Sequence, residues 1–133
     1  MPPDLSQLWA FLPLGYVLTI ALETPVLLLG LSARHSLSRR LLAGVWLTAC
    51  TYPIVVIVLP LTVWPQFGEL AYVACAETFA PVAEAWLFWQ AFDREQASQP
   101  VGQRGDTLQD IAAIVLANLV SFVVGGWLVE NWW

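Results

Sequence analysis

Three glutamates, Glu23, Glu77 and Glu84, stand inside long apolar stretches of a 133-residue chain. A carboxylate near the middle of a bilayer costs about 2.5–3.5 kcal/mol on insertion scales. Such groups are kept for a purpose: to bind a cation, hold a proton or pair with a basic partner. Glu77 and Glu84 are seven residues apart and so share a helical face, two turns apart. Glu23 follows Tyr16 by seven residues and Thr19 by four, which gives a Tyr16–Thr19–Glu23 polar stripe. The neighbouring apolar stretches carry Thr48, Thr51 and Tyr52, and then Asn118 and Ser121. Thr24 and Thr78 each directly follow a glutamate. The expected ligand- or ion-binding set is therefore Glu23, Glu77, Glu84, Asn118, Tyr52, Thr24, Thr78 and Ser121. Carboxylates, hydroxyls and amides suit protons, Na⁺, Mg²⁺ or Ca²⁺ and disfavour soft metals.

The elements that position these groups follow from composition. Hydrophobic residues make up 59% of the chain and charged ones 11%, against roughly 25% charged in ordinary soluble domains. A soluble enzyme, a disordered tail and a nucleic-acid binder are excluded. A crossing helix needs about 20 apolar residues. Four stretches qualify, from about Leu8 to Leu31, Leu41 to Val63, Leu70 to Phe92 and Leu108 to Val129. The fold class expected is an all-α integral membrane protein: one transmembrane domain over residues 1–133, with four helices in an up-down bundle. The first span reads as a retained helix, because no basic segment precedes it and no cleavage pattern follows.

Orientation comes from the arginines. Arg34, Arg39 and Arg40 lie between spans one and two, and Arg94 and Arg104 between spans three and four. This five-to-zero split makes those loops cytoplasmic and puts both termini outside, in a bacterial inner membrane. Trp9, Trp64, Trp127, Trp132 and Trp133 then mark the outer interface, and Trp86 and Trp89 the inner one. Trp46 falls deeper and is expected between helices. Trp64-Pro65-Gln66-Phe67-Gly68 reads as a tight turn. The polar loop from Asp93 to Asp106, with Pro100, Gly102 and Gly105, ends in Thr107-x-x-Asp110, a capping-box match.

Pro25, Pro53 and Pro81 each interrupt a span and free the carbonyl four residues earlier, beside Glu23, Thr48 and at Glu77 respectively. Loosened backbone beside carboxylates is a cation-coordinating pattern in transporters, and prolines are also simply common in membrane helices. Glu23-Thr24-Pro25-Val26 and Glu77-Thr78 with Pro81-Val82 form a faint internal echo, which chance explains equally well. Ala113, Ala117, Ser121 and Gly125 recur every four residues and form a helix-packing stripe, within the chain or between copies.

Other chemistry is poorly provided for. His35 is the sole histidine, so a haem or zinc site is not expected, and it reads as a solvated loop residue or head-group contact. The basic cluster around it reads as a topology signal. Cys50 and Cys75 are expected at different depths, as packing residues. No nucleophile–base constellation appears, which makes an intramembrane enzyme the weakest reading. The leading reading is a small transporter or binder of a proton, small cation or other small polar substrate, with no cofactor expected beyond, at most, a bound cation. The alternative is a structural or assembly subunit. The bilayer is the primary partner in either case, with a homo-oligomer or another membrane protein expected beside it and no nucleic acid.

Overall fold

The computed structural model of the chain describes residues 4–94 and 104–132. Pro100, Gly102 and Trp133 lie outside them, as do the side chains of Arg104 and Trp132. The described residues are predominantly helical, with no strand among them. Helix α1 spans Leu5–Gly30. Helix α2 runs over Leu37–Thr62 and widens into a π turn at Ile54–Val58. A single helical turn, α3, covers Trp64–Phe67. Helix α4 covers Glu69–Phe88 and continues in a second π turn, Trp89–Asp93. Helix α5 spans Arg104–Trp132. Three of the four long helices, α1, α2 and α5, are long and apolar enough to cross a membrane.

Local chemistry explains the boundaries. Gln7 Oε1 accepts from the Asp4 N–H at the start of α1. The Ser36 hydroxyl caps α2 by accepting from the Arg39 N–H, so that helix begins four residues before the apolar run. Pro53 lacks the N–H that an α turn would use, and the wider π turn follows directly. Pro25 and Pro81 sit inside unbroken helices. The turn into α4 depends on Gly68, at φ +85°, which a β-carbon would disfavour. Helix α5 starts at Arg104, so Thr107 and Asp110 are inside it and form no capping box; Asp110 reaches across the bundle instead.

Each long helix packs chiefly against two others: α1 on α2 and α5, and α4 on α2 and α5. Helices α1 and α4 therefore stand diagonally across the bundle. The small-residue stripe lies in the α1–α5 seam. A β-carbon at Gly30 would meet Ala113 at 2.9 Å, one at Gly125 would meet Leu22 at 3.7 Å, and Ala117 is fully buried. Trp46 packs edge-on against Phe92, half-buried. The core is Leu27 of α1 and Leu31 just after it, Ala43 and Leu47 of α2, Phe88 of α4, and Ala113, Ile114 and Ala117 of α5. Leu29 and Leu70 are more than four-fifths exposed, which suits a lipid surround. Against lipid, burying such a core yields close packing rather than a gain from water, so the buried polar groups carry unusual weight.

Candidate functional site

The core layer separates two polar clusters. Along α1 the order is Glu23, Leu27, Leu31, Ser32; along α4 it is Glu84, Phe88, Asp93; along α5 it is Ser121, Asn118, Ile114, Asp110. In every case one polar group precedes the apolar layer and another follows it.

On the first side, Glu23 and Glu84 are both buried, at 2% and 3% exposure. Glu23 accepts from the Thr48 hydroxyl at 3.1 Å and the Ser121 hydroxyl at 2.7 Å. Glu84 accepts from the Thr51 hydroxyl at 2.6 Å and the Asn118 amide at 2.7 Å. Each hydroxyl also has a carbonyl of its own helix in reach: Gly44 for Thr48, Leu47 for Thr51 and Asn118 for Ser121. A hydroxyl has one proton. It can give that proton to an ionised carboxylate, or turn it to the carbonyl and accept from a protonated carboxyl. The network is thus satisfied in either protonation state. Asn118 has two amide protons and serves Glu84 and the Ile114 carbonyl together.

Both carboxylates border a cavity of about 140 Å³, which Glu77, Tyr52, Thr19 and Phe122 also line. Among the described residues, no arginine or histidine lines it. Tyr52 reaches its place because Gly15 makes room, where a β-carbon would collide with the phenol oxygen. Of the eight residues expected to bind a ligand, Glu23, Glu77, Glu84, Asn118, Tyr52 and Ser121 come together here. Thr24 instead packs against Gly44 with its buried hydroxyl unpartnered, and Thr78 is exposed and donates to the Ala74 carbonyl of its own helix. Tyr16 turns to α2 and donates to the Val45 carbonyl. Thr48 and Thr51, recognised from sequence as mid-membrane hydroxyls, are the donors that hold the carboxylates.

Beyond the core layer lies a cluster that sequence reasoning missed. His35 is not a solvated loop residue: its side chain is fully buried, with its ring edge-on to Phe88 at 4.9 Å. Its Nε2 lies 2.9 Å from Asp110 Oδ2 and 3.0 Å from Asp93 Oδ1. Arg34 Nη2 lies 3.0 Å from the same two oxygens and donates to Thr107 as well. Asp110 also accepts from the Ser32 N–H at 2.6 Å and its hydroxyl at 3.0 Å. Nε2 can carry at most one proton, so it cannot serve both carboxylates. The shortfall falls on Asp93, which is ion-paired by proximity while neither of its oxygens receives a well-aligned hydrogen bond. The Asp93 carboxyl is pushed up to about 6, chiefly by burial and then by the Asp110 charge, against the pull of Arg34 and His35. Arg40 donates to the carbonyls of Leu28, Ser32 and His35, closing the end of α1. The basic cluster, expected only as a topology signal, therefore has a structural role.

The side chains of His35, Asp93 and Asp110 each bring one ligand atom within 4.8 Å of the others. Arg34 already bridges the two carboxylates, so the group reads as a charge-paired lock joining the α1–α2 connection to the ends of α4 and α5.

Set against protein-family models, curated proteins and solved structures, the chain gives no match to any of them.

Proposed function

We propose that the chain is a bacterial inner-membrane protein of four up-and-down spans, its termini outside, that takes a proton or small cation into the Glu23–Glu84 chamber and carries it across the bilayer. The observation that carries this reading is the meeting of two buried carboxylates from diagonal helices with only neutral donors around them. Ionised together in a low-dielectric interior, they repel each other and require a neutralising cation or proton. The reversible hydroxyls supply a second support, because they let the charge come and go without leaving a buried group unpaired. The arginine split supports the orientation, and α4 serves as the remaining span despite its acidic residues. Passage to the inner side then requires the Phe88 layer to open.

The test is flux in liposomes holding the purified protein. Wild type should move protons or Na⁺ down a gradient, and Glu23→Gln and Glu84→Gln should each abolish flux while the protein remains folded. Flux unchanged in both variants would end the reading. The assembly-subunit alternative has Glu77 in its favour, since it is half-buried and has no hydrogen-bond partner among the described residues. A wild-type protein without flux, which purifies with a partner only while Glu77 is intact, would favour that alternative.

A further inference from the structure

We propose that the outer end of the bundle is a binding vestibule for an organic ammonium ion. The inference rests on the reading of the chamber as a cation site and names the substrate class that would approach it.

A second cavity of about 410 Å³ adjoins the chamber, with Thr19, Tyr52, Ser121 and Phe122 common to both. All four long helices wall it. Its volume falls within the range of small-molecule pockets, which begins at about 300 Å³, whereas the chamber alone has room for only an inorganic ion and its waters. Four aromatic side chains line it: Phe11, Tyr52, Tyr72 and Phe122. Tyr72 is held by stacking on Trp64, with ring centroids 5.4 Å apart and planes at 19°. Two exposed carboxylates, Glu69 and Glu130, complete the lining. Among the described basic side chains, Arg34, Arg39, Arg40 and Arg94 lie in the two loops at the other end or just inside them. Among the described residues the potential at this end is therefore negative, without an opposing basic side chain.

Aromatic faces with carboxylates nearby attract alkylammonium groups, which shed water easily and present a diffuse positive charge. A small metal ion would demand converging oxygen ligands, and here most of the lining is aromatic and aliphatic. Ser121 links the two compartments, because it lines both and donates to Glu23 at 2.7 Å. An ammonium ion in the vestibule is thus one side chain away from the chamber.

The test uses the full chain in phosphatidylglycerol nanodiscs, with benzyltrimethylammonium as probe and its uncharged isostere neopentylbenzene as control. Binding is read by equilibrium dialysis. The ammonium ion should bind saturably, and the isostere at least about tenfold more weakly. A Glu69→Gln/Glu130→Gln double variant should weaken ammonium binding about tenfold. So should Gly126→Leu, which fills the vestibule from a position where a β-carbon meets nothing within 4 Å. These positions are exposed, so both proteins should fold. Absence of saturable binding, equal binding of the isostere, or indifference to both variants would overturn the proposal. Loss of binding on exchange to phosphatidylethanolamine would assign the vestibule to a lipid headgroup and overturn it too. Proton or Na⁺ flux that still depends on Glu23 and Glu84, without ammonium binding, refutes the vestibule alone. Ammonium binding with flux indifferent to those glutamates refutes the chamber reading and spares the vestibule.

Discussion

On one side of the Phe88 layer, Glu23 and Glu84 meet hydroxyls and an amide and border a cavity. On the other, Asp93 and Asp110 meet a guanidinium and an imidazole, and the imidazole packs beside Phe88 and Phe92. Both clusters bury two carboxylates. The first leaves their charge uncompensated and gives them donors that can turn round. The second compensates the charge with fixed partners, Arg34 and His35, from the α1–α2 connection. A site that must accept and release a cation cannot carry its own counter-charge, whereas a site that holds helices together must. On the proposed reading of the chamber, the contrast separates function from stability, and mutations at the two levels should separate in the same way.

The largest effect is expected at the lock. Asp110→Ala leaves Arg34 and His35 buried without their best carboxylate and should cost about 3–5 kcal/mol. Thermal unfolding in detergent measures it, and a change below about 1 kcal/mol would mean that the lock is not structural. Gly15→Ala drives a methyl into the space of the Tyr52 hydroxyl and should cost about 1–3 kcal/mol, with reduced flux because a chamber wall moves. A proton titration gives a smaller effect. The folded Asp93 carboxyl sits at about 6, above its ordinary 3.8. The native state therefore holds the proton more tightly than the unfolded chain does. Its contribution to stability is full below about pH 4 and is lost as pH rises through about 6. Acidification across that window should stabilise the protein by at most about 3 kcal/mol, and Asp93→Asn should flatten the slope. The smallest change in stability should come from the chamber. Glu84→Gln keeps an oxygen for Asn118 and should leave unfolding within about 1 kcal/mol of wild type while flux disappears. A chamber variant as destabilising as Asp110→Ala would erase the distinction between the two levels.

The chamber was largely legible in the sequence because burying an unpaired carboxylate in an apolar helix is so costly that its mere presence marks a site. Glu23 and Glu84 follow from that argument alone, and Asn118 and Ser121 from being polar groups within a neighbouring apolar stretch. Thr24 and Thr78 misled because adjacency to a glutamate along a helix turns a side chain about 100° away from it. The lock was not legible. His35, Asp93 and Asp110 sit where helices begin and end, and there a shift of one turn decides between solvent and interior. Helix α5 begins ahead of Thr107, and α4 runs on through a π turn to Asp93; together these bring the two aspartates to the same histidine.

The sequence by itself determined that the chain is helical and apolar, where its helices fall, and which acidic groups carry an energetic cost that demands explanation. These are consequences of local composition and periodicity. Only the tertiary structure decided that α1 and α4 stand diagonal so that their glutamates share one cavity, that the small-residue stripe faces α1, and that a loop histidine becomes the centre of a buried ion-pair cluster. Those outcomes depend on helix rotation and register, which are set by the packing of all four long helices at once and are written in no single segment.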